Sequence, residues 1–170
     1  MTTPDGQDVV ARNVAQWGVE RPDLDVSPML VISRLHRLAT LTDEGLRQVF
    51  APAGLGDGEF DVLATLRRAG EPYALSPTEL AGRTMVTSGA TSKRIDRLEA
   101  RGLVERQTST GDRRGRLISL TDQGRNLVDR LLVLHLANEE RLLEGLSTDD
   151  RDQLAALLSR WLLALEGPAS

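Results

Sequence analysis

Apolar residues recur along most of this chain at helical rather than strand spacing, in blocks separated by polar breaks. Val10, Val14 and Trp17 form the first block and predict a short helix that ends before "ERPDLD". Ser27-Pro28 has the form of an N-cap followed by proline at the first helical position. Leu30, Val31, Leu35, Leu38, Leu46, Val49 and Phe50 then make an apolar stripe that stops before "APAGLGDG". Asp57 is placed to cap a third helix, with Phe60, Leu63 and Leu66 inward and its close at Gly70. "SPTELAGR" opens on a capping box: Ser76 as N-cap, Pro77 at the first position and Glu79 at the third. This helix is short. A turn over Thr84 to Ser88 leads into "TSGATSKRIDRLEARG", where Ile95 and Leu98 face inward and Gly102 serves as C-cap.

There the period changes. "LVERQ" and "RLISL" alternate as two strands, joined by the polar loop "TSTGDRRG". Thr121-Asp122 restarts a long helix through Leu127, Leu131, Leu134 and Leu142. "STDD", from Ser147, caps a last helix carrying Leu154, Leu157, Leu158, Trp161, Leu162 and Leu165. The expected fold is mainly α (α+β), a winged helix-turn-helix lobe between long N- and C-terminal helices. The expected division is N-terminal helices over 1–52, the winged lobe over 53–121 and C-terminal helices over 122–170, the outer parts serving dimerisation.

Composition narrows the functions. The chain is 40% apolar and 27% charged, ordinary for a globular protein. It has no run near the roughly 18 apolar residues of a membrane span and no apolar signal core in its first twenty residues. A cytoplasmic protein is expected. Cysteine is absent, which excludes disulfides, thiol catalysis and thiolate metal sites. His36 and His135 show no ligand spacing, so neither a metal nor any other cofactor is expected. A phosphate-binding loop, a Gly-x-Ser-x-Gly elbow and paired metal ligands are all missing, and an enzyme is not expected.

Net charge is −4, but it is unevenly spread. From Arg83 to Arg116 nine basic residues stand against four acidic ones, a local excess of +5, while the remainder holds 12 basic and 21 acidic residues, −9. Phosphate binding responds to local potential, so a basic island in an acidic body is an electrostatic footprint for nucleic acid; a solvated arginine-rich face is the plainer reading. The order of elements favours DNA. The second helix of such a motif lies in the major groove with its N-terminal residues near base edges. Thr87, Ser88, Thr91 and Ser92 are small hydrogen-bonding residues there, and Lys93 and Arg97 continue the outward face. Arg113, Arg114 and Arg116 on the hairpin are suited to phosphates or a narrow minor groove.

The run "SPTELA…TSGATSKRIDRLEARGLVER…GDRRGRLISLTDQGR" resembles the DNA-binding lobe of the MarR family of bacterial transcriptional regulators. Its wing signature, Asp-x-Arg followed by a strand and "LT-x-x-G", matches Asp112, Arg114, Leu120, Thr121 and Gly124. The resemblance implies a homodimer joined through its terminal helices, reading a palindromic operator on double-stranded DNA. A narrower resemblance is to the urate-responsive (HucR/PecS-type) branch, through Trp17, Asp61, Arg94 and Arg106. It implies that Trp17 stacks on a flat ligand, that Arg106 pairs with its anionic oxygens, and that Asp61 is repelled by the bound anion. Arg94 would then relay that displacement to the DNA-reading surface. Such a protein is expected to be a repressor released by a small anion such as urate. A different carboxylate or phenolic ligand, and a winged-helix adaptor without DNA binding, are the alternatives. In the leucine-rich helix, His135 is expected to be a packed core histidine, with pH sensing as its functional alternative.

Overall fold

The computed structural model describes residues 6–56, 58–84, 88–108 and 116–167, and for residues 88–90 and 108 the backbone alone. The chain divides into two compact units, 1–45 and 46–170. In the first, α1 (Val9–Glu20) is capped by Asp8, whose carboxylate accepts from the Ala11 N–H at 2.8 Å. That carboxylate also accepts from Arg34 Nε at 2.7 Å, which fastens the cap to α2 (Met29–Phe50). Val10 and Val14 are buried, whereas Trp17 on the same helix is half exposed.

The second unit holds the winged lobe. A 3-10 turn (Ala51–Ala53) follows α2, and then come α3 (Glu59–Arg68), β1 (Ala74–Leu75), α4 (Pro77–Arg83) and α5 (Ser88–Ala100). After them the hairpin β2 (Val104–Thr108) and β3 (Arg116–Leu120) leads into α6 (Asp122–Leu142) and α7 (Thr148–Glu166). The strands form one antiparallel sheet in the order β1-β3-β2, with Ala74 opposite Ser119 and Val104 opposite Leu120. Fully or nearly fully buried Val62, Leu63, Leu66, Leu80, Leu98, Leu103 and Ile118 make its core, contributed by α3, α4, α5 and the sheet. Phe50 stacks on Phe60 with ring centroids 4.3 Å apart, and His135 of α6 lies 5.2 Å from the Phe60 centroid.

Three details depart from the pattern-based expectation. Strand β1 was not expected, because two residues are too few to carry a period. Helix α3 starts at Gly58, in the left-handed region at φ 73° with no side-chain cap, rather than from Asp57, which lies outside the described residues. Helix α2 begins at Met29, so Pro28 precedes it rather than filling its first position, whereas α4, α6 and α7 start from their expected capping residues. Ser76 accepts from the Glu79 N–H while the Glu79 carboxylate accepts from the Ser76 N–H at 2.9 Å, a closed capping box. Ser147 and Asp150 repeat it at α7. Among the described residues, no helix is long and apolar enough to cross a membrane.

Candidate nucleic-acid interface

Helix α5 is the second helix of the motif, and its periodicity decides which side chains face outward. Thr91, Ile95 and Leu98 lie inward, with Thr91 only 2% exposed. The expectation that Thr91 faces DNA is therefore corrected: spaced i, i+4, i+7 with Ile95 and Leu98, it belongs to the packed face. Ser92, Lys93, Asp96 and Arg97 are exposed. Thr87, Arg113 and Arg114 lie outside the described residues, and so does the side chain of Ser88. Arg116 is exposed and opens β3 opposite Thr108 in the hairpin register.

The basic island is less free than its charge count suggests. Arg97 Nε donates to Glu59 Oε1 at 2.7 Å, and Glu59 is buried at the start of α3, where its other oxygen accepts from the Gly56 N–H at 2.7 Å. Arg101 donates to the carbonyls of Ala53 and Gly54, both at 2.7 Å. Arg94 lies against Gly58: a Cβ built there would sit 2.6 Å from Arg94 Nε. So Arg94, Arg97 and Arg101, one helical face at i, i+3 and i+7, fasten α5 to the segment from Ala53 to Glu59. On another face Asp96 and Glu99 both pair with Arg106 of β2, which ties the helix to the hairpin. Lys93 and Arg116 have no carboxylate partner among the described residues.

The hairpin is tied to α6 as well. Thr121 Oγ1 accepts from the Gly124 N–H at 3.0 Å and donates to the Gly102 carbonyl at 2.7 Å, so one hydroxyl caps α6 and holds the end of α5. Gly124 is buried against the strand entry: a Cβ there would lie 1.9 Å from the Leu103 carbonyl oxygen. The "LT-x-x-G" run is thus a joint between recognition helix, wing and α6.

Of the four residues assigned to a ligand, Asp61 lies in the first turn of α3, with a side chain 22% exposed and 4.0 Å from the Arg68 guanidinium. Arg94 meets the same turn of α3 through Gly58. Arg106 is engaged by Asp96 and Glu99, and Trp17 belongs to the N-terminal unit. Sequence reasoning missed Glu59 and the carbonyl contacts of Arg101. A glutamate at a helix start carries no sign of burial, and backbone acceptors have no residue code.

Comparison with known proteins gives concordant matches. The MarR family model matches residues 53–115. The HTH-type transcriptional regulator PecS of Dickeya dadantii is 46% identical over 147 residues, 86% of this chain and 89% of that protein. Among solved structures, a mutant of Escherichia coli MarR complexed with operator DNA superposes with a TM-score of 0.70 at 27% identity, over 82% of this chain and 99% of that one. Bordetella bronchiseptica BpsR, whose DNA binding is regulated by 6-hydroxynicotinic acid, gives a TM-score of 0.69 at 27% identity, over 77% of this chain and 91% of that one.

Proposed function

The chain belongs to the MarR family of transcriptional regulators, and from that premise we propose that it is a cytoplasmic repressor. It binds a palindromic DNA operator as a homodimer and is released by a small anion such as urate. The observation that carries the DNA reading is the outward face of α5. Ser92, Lys93 and Arg97 are exposed there, beside a hairpin that begins β3 with exposed Arg116. A helix presenting small donors and cations next to a basic β-ribbon suits major-groove entry with phosphate contacts on either side.

Dimerisation is supported by apolar surface that a single chain leaves in water. On α7, Leu157 is 55% exposed, Leu162 56% and Leu163 65%, and Val133 on α6 is 67% exposed. Leucine-rich helical faces this open are typical of surfaces buried on association. The ligand reading rests on Trp17, Asp61, Arg94 and Arg106, the positions of the urate-responsive resemblance. BpsR responds to a flat heterocyclic acid, and urate is chemically of that kind. Release requires that the anion bind a state with lower DNA affinity more tightly than the DNA-bound state.

The test is a titration of the protein onto the DNA upstream of its own gene, at one fixed salt and pH, with and without urate. Tight binding that urate reverses is the expected result. Replacing Lys93 or Arg116 by glutamine should each lower the salt slope of log K by about 1. Tight binding that urate leaves unchanged would discard urate, and no binding at low salt would leave the adaptor reading.

A further inference from the structure

Just past the C-terminal end of α5, a groove of about 630 Å³ opens between Ala53, Arg101 and Leu103 on one side and α6 on the other. It is lined by the polar Arg101, Gln123, Asn126 and Arg130 together with the apolar Ala53, Leu103 and Leu127. Among the described residues, no carboxylate lines it. Arg101 spends two N–H groups on neutral carbonyls, those of Ala53 and Gly54, so its positive charge is not neutralised by them. Arg130 is exposed and has no carboxylate partner among the described residues. The volume falls within the roughly 300–1,000 Å³ of small-molecule sites. The groove shares no residue with Trp17, Asp61, Arg94 and Arg106, and every residue in it belongs to the unit 46–170.

We propose that this groove is a second small-molecule site, and that it takes a small dicarboxylate. Two guanidinium groups on one concavity match two negative charges, because each planar fork pairs with a carboxylate through parallel N–H bonds. Leu103 and Leu127 offer apolar surface to the short hydrocarbon between the carboxylates, and Gln123 and Asn126 supply amide donors for the remaining oxygens. A monocarboxylate satisfies one guanidinium, and inorganic phosphate has no hydrocarbon for the two leucines. Arg101 also holds the last turn of the recognition helix to the Ala53–Gly54 turn, so a bound dianion shares that guanidinium with the two carbonyls. Binding itself does not depend on the chain's being a repressor, and it is measured without DNA.

The experiment is a titration of the ¹⁵N-labelled full chain with succinate at constant ionic strength, following the Arg Nε–H signals and the amides of Gly102 and Gln123. Acetate, succinamide and inorganic phosphate are titrated in parallel. The expected result is saturable shifts with succinate, about tenfold weaker binding of acetate, and no saturation with neutral succinamide. Arg130→Gln should weaken succinate about tenfold without changing the melting temperature, because Arg130 is exposed and has no hydrogen bond or ion pair among the described residues. Asp61→Asn should leave succinate binding unchanged. Shifts that do not saturate, that are equal for acetate and succinate, or that survive Arg130→Gln would overturn the proposal, as would tighter binding of phosphate than of succinate.

Discussion

Arg97 and Glu59 stand 2.7 Å apart, joining a side chain 61% exposed to a carboxylate 4% exposed. The pair crosses 38 residues of sequence and sets the recognition helix against the start of α3. Removing the arginine leaves a buried carboxylate with one partner fewer. Arg97→Gln should therefore cost about 1–2 kcal/mol in urea unfolding, discounted for the exposure of the guanidinium. Glu59→Gln keeps the shape and removes the charge. It should weaken operator binding several-fold while leaving the salt slope unchanged, since no phosphate contact is lost. A changed slope would show that Glu59 alters the DNA contacts themselves.

Gly124 presents a sharper case. The atom that a side chain would meet is a backbone carbonyl oxygen, at 1.9 Å from an ideal Cβ, so no rotamer change relieves it. Gly124→Ala should destabilise by about 3 kcal/mol or abolish soluble expression, despite alanine's better helix propensity. Ordinary stability of this variant in a denaturant melt would mean that α6 and the strand entry are not in this contact.

Gly58 and Gly70 form an internal control. Both hold positive φ, 73° and 77°, but a Cβ at Gly58 meets the Arg94 guanidinium whereas one at Gly70 meets nothing within 4 Å. Alanine at Gly70 should cost about 1 kcal/mol through backbone conformation alone. Alanine at Gly58 should cost the same and also displace Arg94. If Arg94 relays a ligand signal, Gly58→Ala should change the urate response while Gly70→Ala does not. Equal responses from the two variants would remove Arg94 from the relay.

Acid should loosen the start of α4. Hydrogen bonds from the Ser76 hydroxyl and N–H, helped by Arg83, hold the Glu79 carboxyl below its ordinary value of 4.5. A depressed carboxyl stabilises the fold above its unfolded value, and that contribution disappears as pH falls through the folded value. Ser76→Ala should lower the melting temperature by about 2–4 °C at neutral pH. The gap should narrow as pH falls below the ordinary value of 4.5 and through the lower folded value, where the Glu79 carboxyl takes up its proton. A gap independent of pH would mean that the carboxylate half of the box contributes nothing.

Much of this lobe was legible because its period is strong. Ile95 and Leu98 were placed inward correctly, and Thr91, four residues before Ile95, could have been placed with them by the same count. Its hydroxyl argued for DNA, and geometry outweighed it. The hairpin and the caps at Ser76, Thr121 and Ser147 followed from residue type alone. The ties that hold α5 did not, because each joins distant residues or ends on a backbone oxygen. The charge count likewise misled in part: Arg97, Arg101 and Arg106 are engaged by this chain's own acceptors. The recognition surface is narrower than the run of cations suggested.

That narrowing leaves an unusual reactive handle. Lys93 is the one lysine in the chain, and it is exposed on the outward face of the recognition helix. Apart from the terminal amine, an acylating reagent finds a single primary amine on this protein, placed where the duplex is proposed to sit. Mass spectrometry of the acylated protein would then read occupancy at one side chain, protected in the complex and open once the DNA has left.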